Sequence, residues 1–173
     1  MTAGVPALWI SSFEETRVLP EIKKIVQTRQ ASLYVWTTTR GVVDTDGRCT
    51  IPPDVGIEGA VQSMVDSTSA FVLVLLDPHE HFKPATKRKI RDAIQQFKSN
   101  CHLIVISPKD DAVPFELSRT FMPIDYELPD LTLMVPLTEA LCEQASIKLR
   151  PDSAIKAVAE SALGLTEFEA RNA

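Results

Sequence analysis

Seven apolar residues in a row, Ala70 to Leu76, give way abruptly to Asp77 and Pro78, and Ser67-Thr68-Ser69 lead into them. An apolar run this short, bounded this closely, predicts a strand buried on both faces. Strands of that kind belong to parallel sheets covered by helices, where ligand chemistry gathers beyond the carboxyl ends of the strands. Asp77 and Glu80, in the continuation DPHE, stand at that end.

The rest of the chain supplies alternating companions. Val5 to Ser11 predicts a short buried strand, and Ser32 to Thr38, β-branched and aromatic, a second. Cys101 to Ser107, stopped by Pro108, and Ile124 to Leu128 bring the strands to five. Ser12 is placed to cap a helix with Glu14 and Glu15 in its first turn, and Leu19, Ile22, Ile25 and Val26 recur at helical spacing. Pro20 lacks an amide and predicts a kink there, or a helix that begins near it. Thr39 to Val55, with Gly41, Gly47, Pro52 and Pro53, reads as a long connection with an exposed turn at Asp44-Thr45-Asp46-Gly47. Gly56 to Asp66 carries a weaker helical pattern. Pro84 to Ser99 carries the clearest one, with Ile90, Ala93, Ile94 and Phe97 in one stripe. Pro114 to Thr120 predicts a helical turn or two.

From Pro129 the texture is helical throughout: Leu131 to Ile147, Pro151 to Leu163 closed by Gly164, and a helix capped by Thr166 that is still running at Ala173. The expectation is a three-layer α/β fold with a parallel five-stranded sheet over residues 1–128. A small helical lid follows over 129–173, cut short at its carboxy end.

Composition narrows the function classes. A chain of 173 residues, 45% apolar and 24% charged, suits one soluble globular domain with a small appendage. A net charge of -5 offers no footprint for nucleic acid. Lys83, Lys87, Arg88, Lys89 and Arg91 read as the solvated face of a helix. Cys49, Cys101 and Cys142, far apart and odd in number, fit free thiols in a reducing compartment. No apolar run approaches the roughly 20 residues that span a bilayer. The opening MTAGVPALW lacks the basic segment and apolar core of a secretory signal, so a cytoplasmic chain is expected.

Four apolar residues, then Asp, then a nearby Glu is the general form of a Walker B strand, which holds magnesium in P-loop ATPases. Its partner, a phosphate loop, needs glycines so that successive amides converge on phosphate, with a Lys and a hydroxyl after them. Here the first strand runs into Ser11-Ser12-Phe13-Glu14-Glu15-Thr16-Arg17, with no glycine or lysine, and no GxxxxGK[ST] occurs anywhere. Two carboxylates stand where phosphates would lie, and like charges about 5 Å apart at a semi-buried site cost several kcal/mol. Asp77, His79, Glu80 and His81 are potential metal ligands, and in an extended segment His79 and His81 would share a face, as a zinc-dependent hydrolase would require. A solvated loop without metal is the expectation, because His102 starts a strand instead of ending one and supplies no further ligand. No Ser/His/Asp or Cys/His constellation has support, and Trp9 and Trp36 read as core.

LLDPHE, then LIVISP, then VPFELSRTFMPIDYELPDL, then helices ending GLTEFEARNA, together resemble an AAA-type ATPase core. Closer still, PALWISSFEETR, LYVWTTTRGVVD and ALGLTEFEARNA resemble the amino-terminal half of a cyanobacterial and plastid AAA-type ATPase family, known as hypothetical chloroplast reading frame forty-six. In that family a degenerate ATPase-like domain precedes a standard one that carries the phosphate loop. The resemblance implies strand order 5-1-4-3-2, as in AAA and RecA-like folds, and a helical lid. It matches Asp77 to the Walker B aspartate, sets Glu80 later than the usual glutamate, puts Ser107 at the end of the sensor strand, and places Arg119 near an arginine finger. The function expected is a non-catalytic structural, protein-interaction or regulatory module of a larger AAA-type ATPase. It would have no cofactor of its own, with ATP and magnesium in the parent protein. Its partners would be an ATPase domain of the same or a neighbouring chain, or other copies in a ring, in the cytoplasm or plastid stroma. The alternative is a weak ATP or ADP site built on Asp77 and the amides of the Ser12 to Thr16 turn.

Overall fold

The computed structural model describes residues 5–98, 100–108, 113–147 and 152–173. Two compact units divide it, Met1–Tyr126 and Glu127–Ala173. The first holds strands β1 (Ala7–Ser11), β2 (Ser32–Thr37), β3 (Gly41–Asp44), β4 (Cys49–Ile51), β5 (Phe71–Leu76), β6 (Cys101–Ser107) and β7 (Met122–Asp125). Its helices are α1 (Glu15–Thr28), α2 (Gly56–Val65) and α3 (Pro84–Gln96). The ends expected at Ser99 and Pro151 lie outside the described residues.

All six residues of β5 are buried, as a strand covered on both sides requires. Its side chains alternate between two cores. Phe71, Leu73 and Leu75 join Trp9, Trp36, Ile57, Val61 and Ile90 on the side of α2 and α3. Val72, Val74 and Leu76 join Val18, Ile22 and Val26 of α1 on the other. Each such large aliphatic side chain contributes about 1.5–3 kcal/mol by leaving water.

The sheet corrects the five-stranded expectation. It has seven strands in the order β4-β3-β2-β5-β6-β1-β7 where five were expected; the parallel strands taken alone, β7-β1-β6-β5-β2, follow 5-1-4-3-2, and an antiparallel pair extends the sheet beyond β2. β2, β5, β6, β1 and β7 run parallel, whereas β3 pairs antiparallel with β2 and β4 antiparallel with β3. Residues 39–55 are therefore not an open connection but a hairpin that extends the sheet past β2. Its turn is built by Asp44, whose Oδ1 accepts from the amides of Asp46 and Arg48 at 2.9 Å each, and by Gly47 at φ +78. The last strand also lies earlier than expected, at Met122–Asp125 instead of Ile124 to Leu128.

α1 begins at Glu15 and runs through Pro20, so the helix neither waits for the proline nor starts at it. Pro20 and Thr16, four residues back, are both exposed, and water can serve the carbonyl that the proline leaves without an amide. The residue at the helix cap is Glu14, not Ser12.

In the second unit, α4 (Leu131–Gln144) packs on α5 (Asp152–Ser161) and α6 (Glu167–Asn172). Asp130 caps α4 by accepting from the Leu133 amide at 3.1 Å. Thr166 and Glu169 form a reciprocal capping box at the start of α6. No helix among the described residues is long and apolar enough to cross a membrane.

Candidate functional site

The carboxyl ends of β1, β5, β6 and β7 meet at one edge of the sheet. Parallel pairing aligns Ser11 with Ser107 and with Asp125, and Leu76 with Ile106. The residues just beyond these ends, Ser12 to Arg17, Asp77 and Tyr126, therefore share one rim.

The turn after β1 is closed by its own bonds. The Ser12 amide donates to the Ser107 carbonyl (2.8 Å), and the Glu14 amide donates to Ser12 Oγ (3.0 Å). The amides of Arg17 and Val18 donate to the Glu14 carbonyl at 2.9 and 3.0 Å. A phosphate cradle needs amides that point together into open space, and here those of Ser12 and Glu14 are spent inside the turn. Side chains complete the closure. Glu14 is buried and pairs with Arg17 at 2.7 Å, with side-chain exposures of 3% and 11%. The Arg17 guanidinium lies 4.4 Å from the centroid of the Tyr126 ring, and the Tyr126 hydroxyl donates to Glu21 Oε1 at 2.9 Å. Burial, helped by the bond to Glu21, pushes the Tyr126 hydroxyl up to about 12, so it stays a donor at physiological pH.

Glu15, next in the chain, faces Asp77. Burial first, then the charge of Asp77 and a hydrogen bond to it, raise the Glu15 carboxyl above its ordinary range. Asp77 itself adopts a left-handed conformation at φ +45, which Asp tolerates better than most residues, and its amide donates to the Ile106 carbonyl at 3.0 Å. The Glu15 carboxyl group thus occupies the neighbourhood of Asp77, and Ser12 to Arg17 supply no lysine.

The raised Glu15 gives a definite pH signature. Protonated Glu15 bonded to Asp77 stabilises the fold below the unfolded value of 4.5, and that contribution is lost as pH rises through the higher folded value. Glu15→Gln keeps a donor there without the charge. Its melting temperature should exceed that of the parent at neutral pH, by an amount that solvent screening of this half-buried pair keeps small, and the gap should narrow towards pH 4. Equal melting curves across that range would mean that the two carboxyl groups do not interact.

The remaining expected residues fall as follows. Ser107 is fully buried, with its Oγ 3.4 Å from His79 Nδ1, so it braces the loop after β5 and faces no solvent. Glu80 is exposed in a single 3₁₀ turn, His79–His81. That turn overturns the shared face imagined for the two histidines. His79 reaches Ser107 on β6, whereas His81 Nε2 lies 2.8 Å from Thr38 Oγ1, beyond β2, with its ring edge-on to Trp36. Among the described residues no group of three or more His, Cys, Asp or Glu is arranged to hold a metal ion. Arg119 is exposed, in the turn that leads into β7 and hence at the opposite end of the sheet from Asp77. The Glu14–Arg17–Tyr126–Glu21 chain was not foreseen. Only its i,i+3 Glu–Arg spacing is visible in the sequence.

A parallel-dominated sheet between helices, with an acidic turn in the place of a phosphate loop, defines an AAA-like α/β domain. Residues 1–126 match the family model described as SpoVK-like AAA ATPase, N-terminal domain, and the chain belongs to that family. Among similar solved structures are the FIGL-1 AAA domain in complex with ADP (TM-score 0.65, 8% identity, covering 95% of this chain and 57% of that one) and PCH-2 of C. elegans (0.63, 8%, 96% and 54%). A third is a chain of the HORMA:CdnC:Trip13 complex of E. coli MS115-1 (0.60, 9%, 91% and 59%). At such identities the likeness is one of fold alone, and the chain spans between 54% and 59% of these neighbours' length. No curated protein matches the sequence.

Proposed function

We propose that this domain is a non-catalytic, regulatory or interaction module of a larger AAA-type ATPase, and that it works without nucleotide of its own. One observation carries the proposal: the Ser12 to Arg17 turn is filled by the protein itself, with Glu14 bound by Arg17 and Glu15 set against Asp77. ATP and magnesium belong to the parent ATPase domain, in the same or a neighbouring chain. The HORMA:CdnC:Trip13 complex is a protein assembly containing a domain of this fold, which favours a protein partner for this one too. Kinship with the cyanobacterial and plastid sequences rests on the three stretches quoted above and belongs to the same proposal.

Calorimetric titration of the domain with MgATP and MgADP, with Asp77→Ala beside it, is the test. No heat at millimolar nucleotide is expected. Binding that Asp77→Ala abolishes would sink the proposal and make the domain a nucleotide sensor. The exposed Arg119 is assigned to face the partner ATPase site. In the parent enzyme Arg119→Ala should lower turnover by about a hundredfold or more, on the scale of a lost transition-state charge contact, and unchanged turnover would remove that role.

A further inference from the structure

Phe115 is the most exposed large apolar side chain among the described residues, at 90%. It opens the 3₁₀ turn Phe115–Leu117, which lies between β6 and β7 in the chain and packs against α3. The backbone there is tightly bonded. The Leu117 amide donates to the Pro114 carbonyl and the Thr120 amide to the Leu117 carbonyl, at 2.8 Å each. Ser118 closes on the Phe115 carbonyl twice, through its amide (3.2 Å) and its Oγ (2.8 Å). Leu117 and Phe121, both buried, root the segment in the core of α2 and α3, where the Phe121 ring stands edge-on to Trp9. The turn is thus fixed while its one aromatic ring is left in water.

A single exposed apolar side chain is ordinary; the charges beside this one give it meaning. Lys87 of α3 pairs with Glu116 at 2.6 Å. The bond from Lys87 first, and the charges of Lys87 and Arg91 after it, hold the Glu116 carboxyl below its ordinary range. Arg91 and Arg119 are exposed, and neither joins an ion pair among the described residues. Arg119 follows Phe115 by four residues in the same run of turns. Cations therefore outnumber carboxylates around Phe115, in a chain whose net charge is -5. A fixed aromatic ring flanked by arginines has the composition of an interface hot spot. The local surplus of positive charge calls for an anionic surface opposite, and an ATPase domain loaded with nucleotide offers one in its phosphates.

We propose that Phe115 anchors the contact with the nucleotide-loaded ATPase domain, its ring entering an apolar recess beside the phosphates that Arg119 approaches. This rests on the reading that Arg119 faces the partner ATPase site, and it makes Phe115 the residue that positions the arginine there. Hydrogen exchange of residues 113–121 is the test, compared between this chain alone and the intact parent enzyme with MgATP. Exchange should be slower in the parent. Phe115→Ser should abolish that slowing and lower turnover, and Phe115→Leu, which keeps an apolar anchor, should restore both. Because the ring is exposed, Phe115→Ser should leave the melting temperature of this chain unchanged. Arg119→Ala should lower turnover and keep the slowing. Absence of slowing, or slowing that Phe115→Ser leaves intact, overturns the proposal, and a loss of turnover in Arg119→Ala would then leave the proposed function standing. Slowing that Phe115→Ser abolishes, with turnover indifferent to Arg119→Ala, supports the anchor and removes only the arginine's role. No slowing in the parent, with this chain dimerising on concentration and Phe115→Ser breaking the dimer, overturns the proposal in favour of a second copy on this face.

Discussion

Arg17→Met should lower the melting temperature of the first unit by about 6–20 °C. Removing one partner of a buried ion pair costs about 3–5 kcal/mol, and each kcal/mol is worth about 2–4 °C in a domain of this size. The pair qualifies as buried on both sides, with side-chain exposures of 3% for Glu14 and 11% for Arg17. The methionine keeps most of the aliphatic stem while removing the guanidinium that neutralises Glu14 and covers the Tyr126 ring. The loss therefore arises mainly from a carboxylate held away from water without its cation. Its corollary is a partial rescue: Glu14→Gln with Arg17→Met should melt well above Arg17→Met alone, because the double variant buries no lone charge. A double variant no more stable than the single one would show that the cost lies in lost packing. A single variant melting with the parent would show that the pair has no structural role.

The same network shows what a sequence yields and what it withholds. Ala70 to Leu76 could be recognised as a covered strand because a short apolar run between breakers has few other ways to bury itself, and β5 is buried along its whole length. The acidic turn after β1 could be recognised because it lacks the glycines and lysine that phosphate demands. That Glu15 would meet Asp77 follows only once β1 and β5 are known to end at the same rim. The Tyr126–Glu21 bond spans 105 positions, and nothing local marks either residue as its member. Pro20 misled in the opposite direction. A local rule predicts a kink or a helix that begins near it, but α1 already starts at Glu15, because burying Val18, Ile22 and Val26 against the sheet outweighs one missing amide bond on an exposed side. The hairpin escaped notice because strands of 4 and 3 residues are too short to show a period of two.

Gly41→Ala should unseat that hairpin. Gly41 has φ +67, and a Cβ built on it would stand 2.1 Å from the Ile51 carbonyl oxygen and 2.7 Å from Pro52 C and Pro53 N. All three neighbours are backbone atoms, so no side chain can turn aside, and β3 and β4 must separate to admit the methyl group. The left-handed conformation alone costs an alanine about 1–2 kcal/mol; with the collision, a loss above about 3 kcal/mol is expected. Gly47 supplies the control, because it also has a positive φ, +78, but its Cβ would meet only Arg40 Nη2, at 4.0 Å. Gly47→Ala should thus show the conformational cost by itself, about 1 kcal/mol. Hydrogen exchange separates local from global failure. Val42 and Val43, buried in β3, should lose protection in Gly41→Ala while β5 and β6 keep theirs, since the hairpin pairs only with β2. Loss of protection across β5 as well would mean that the hairpin is part of the cooperative core, held there by Val42 beside Trp36. The sheet would then depend for its stability on the very strands that set it apart from a five-stranded parallel one.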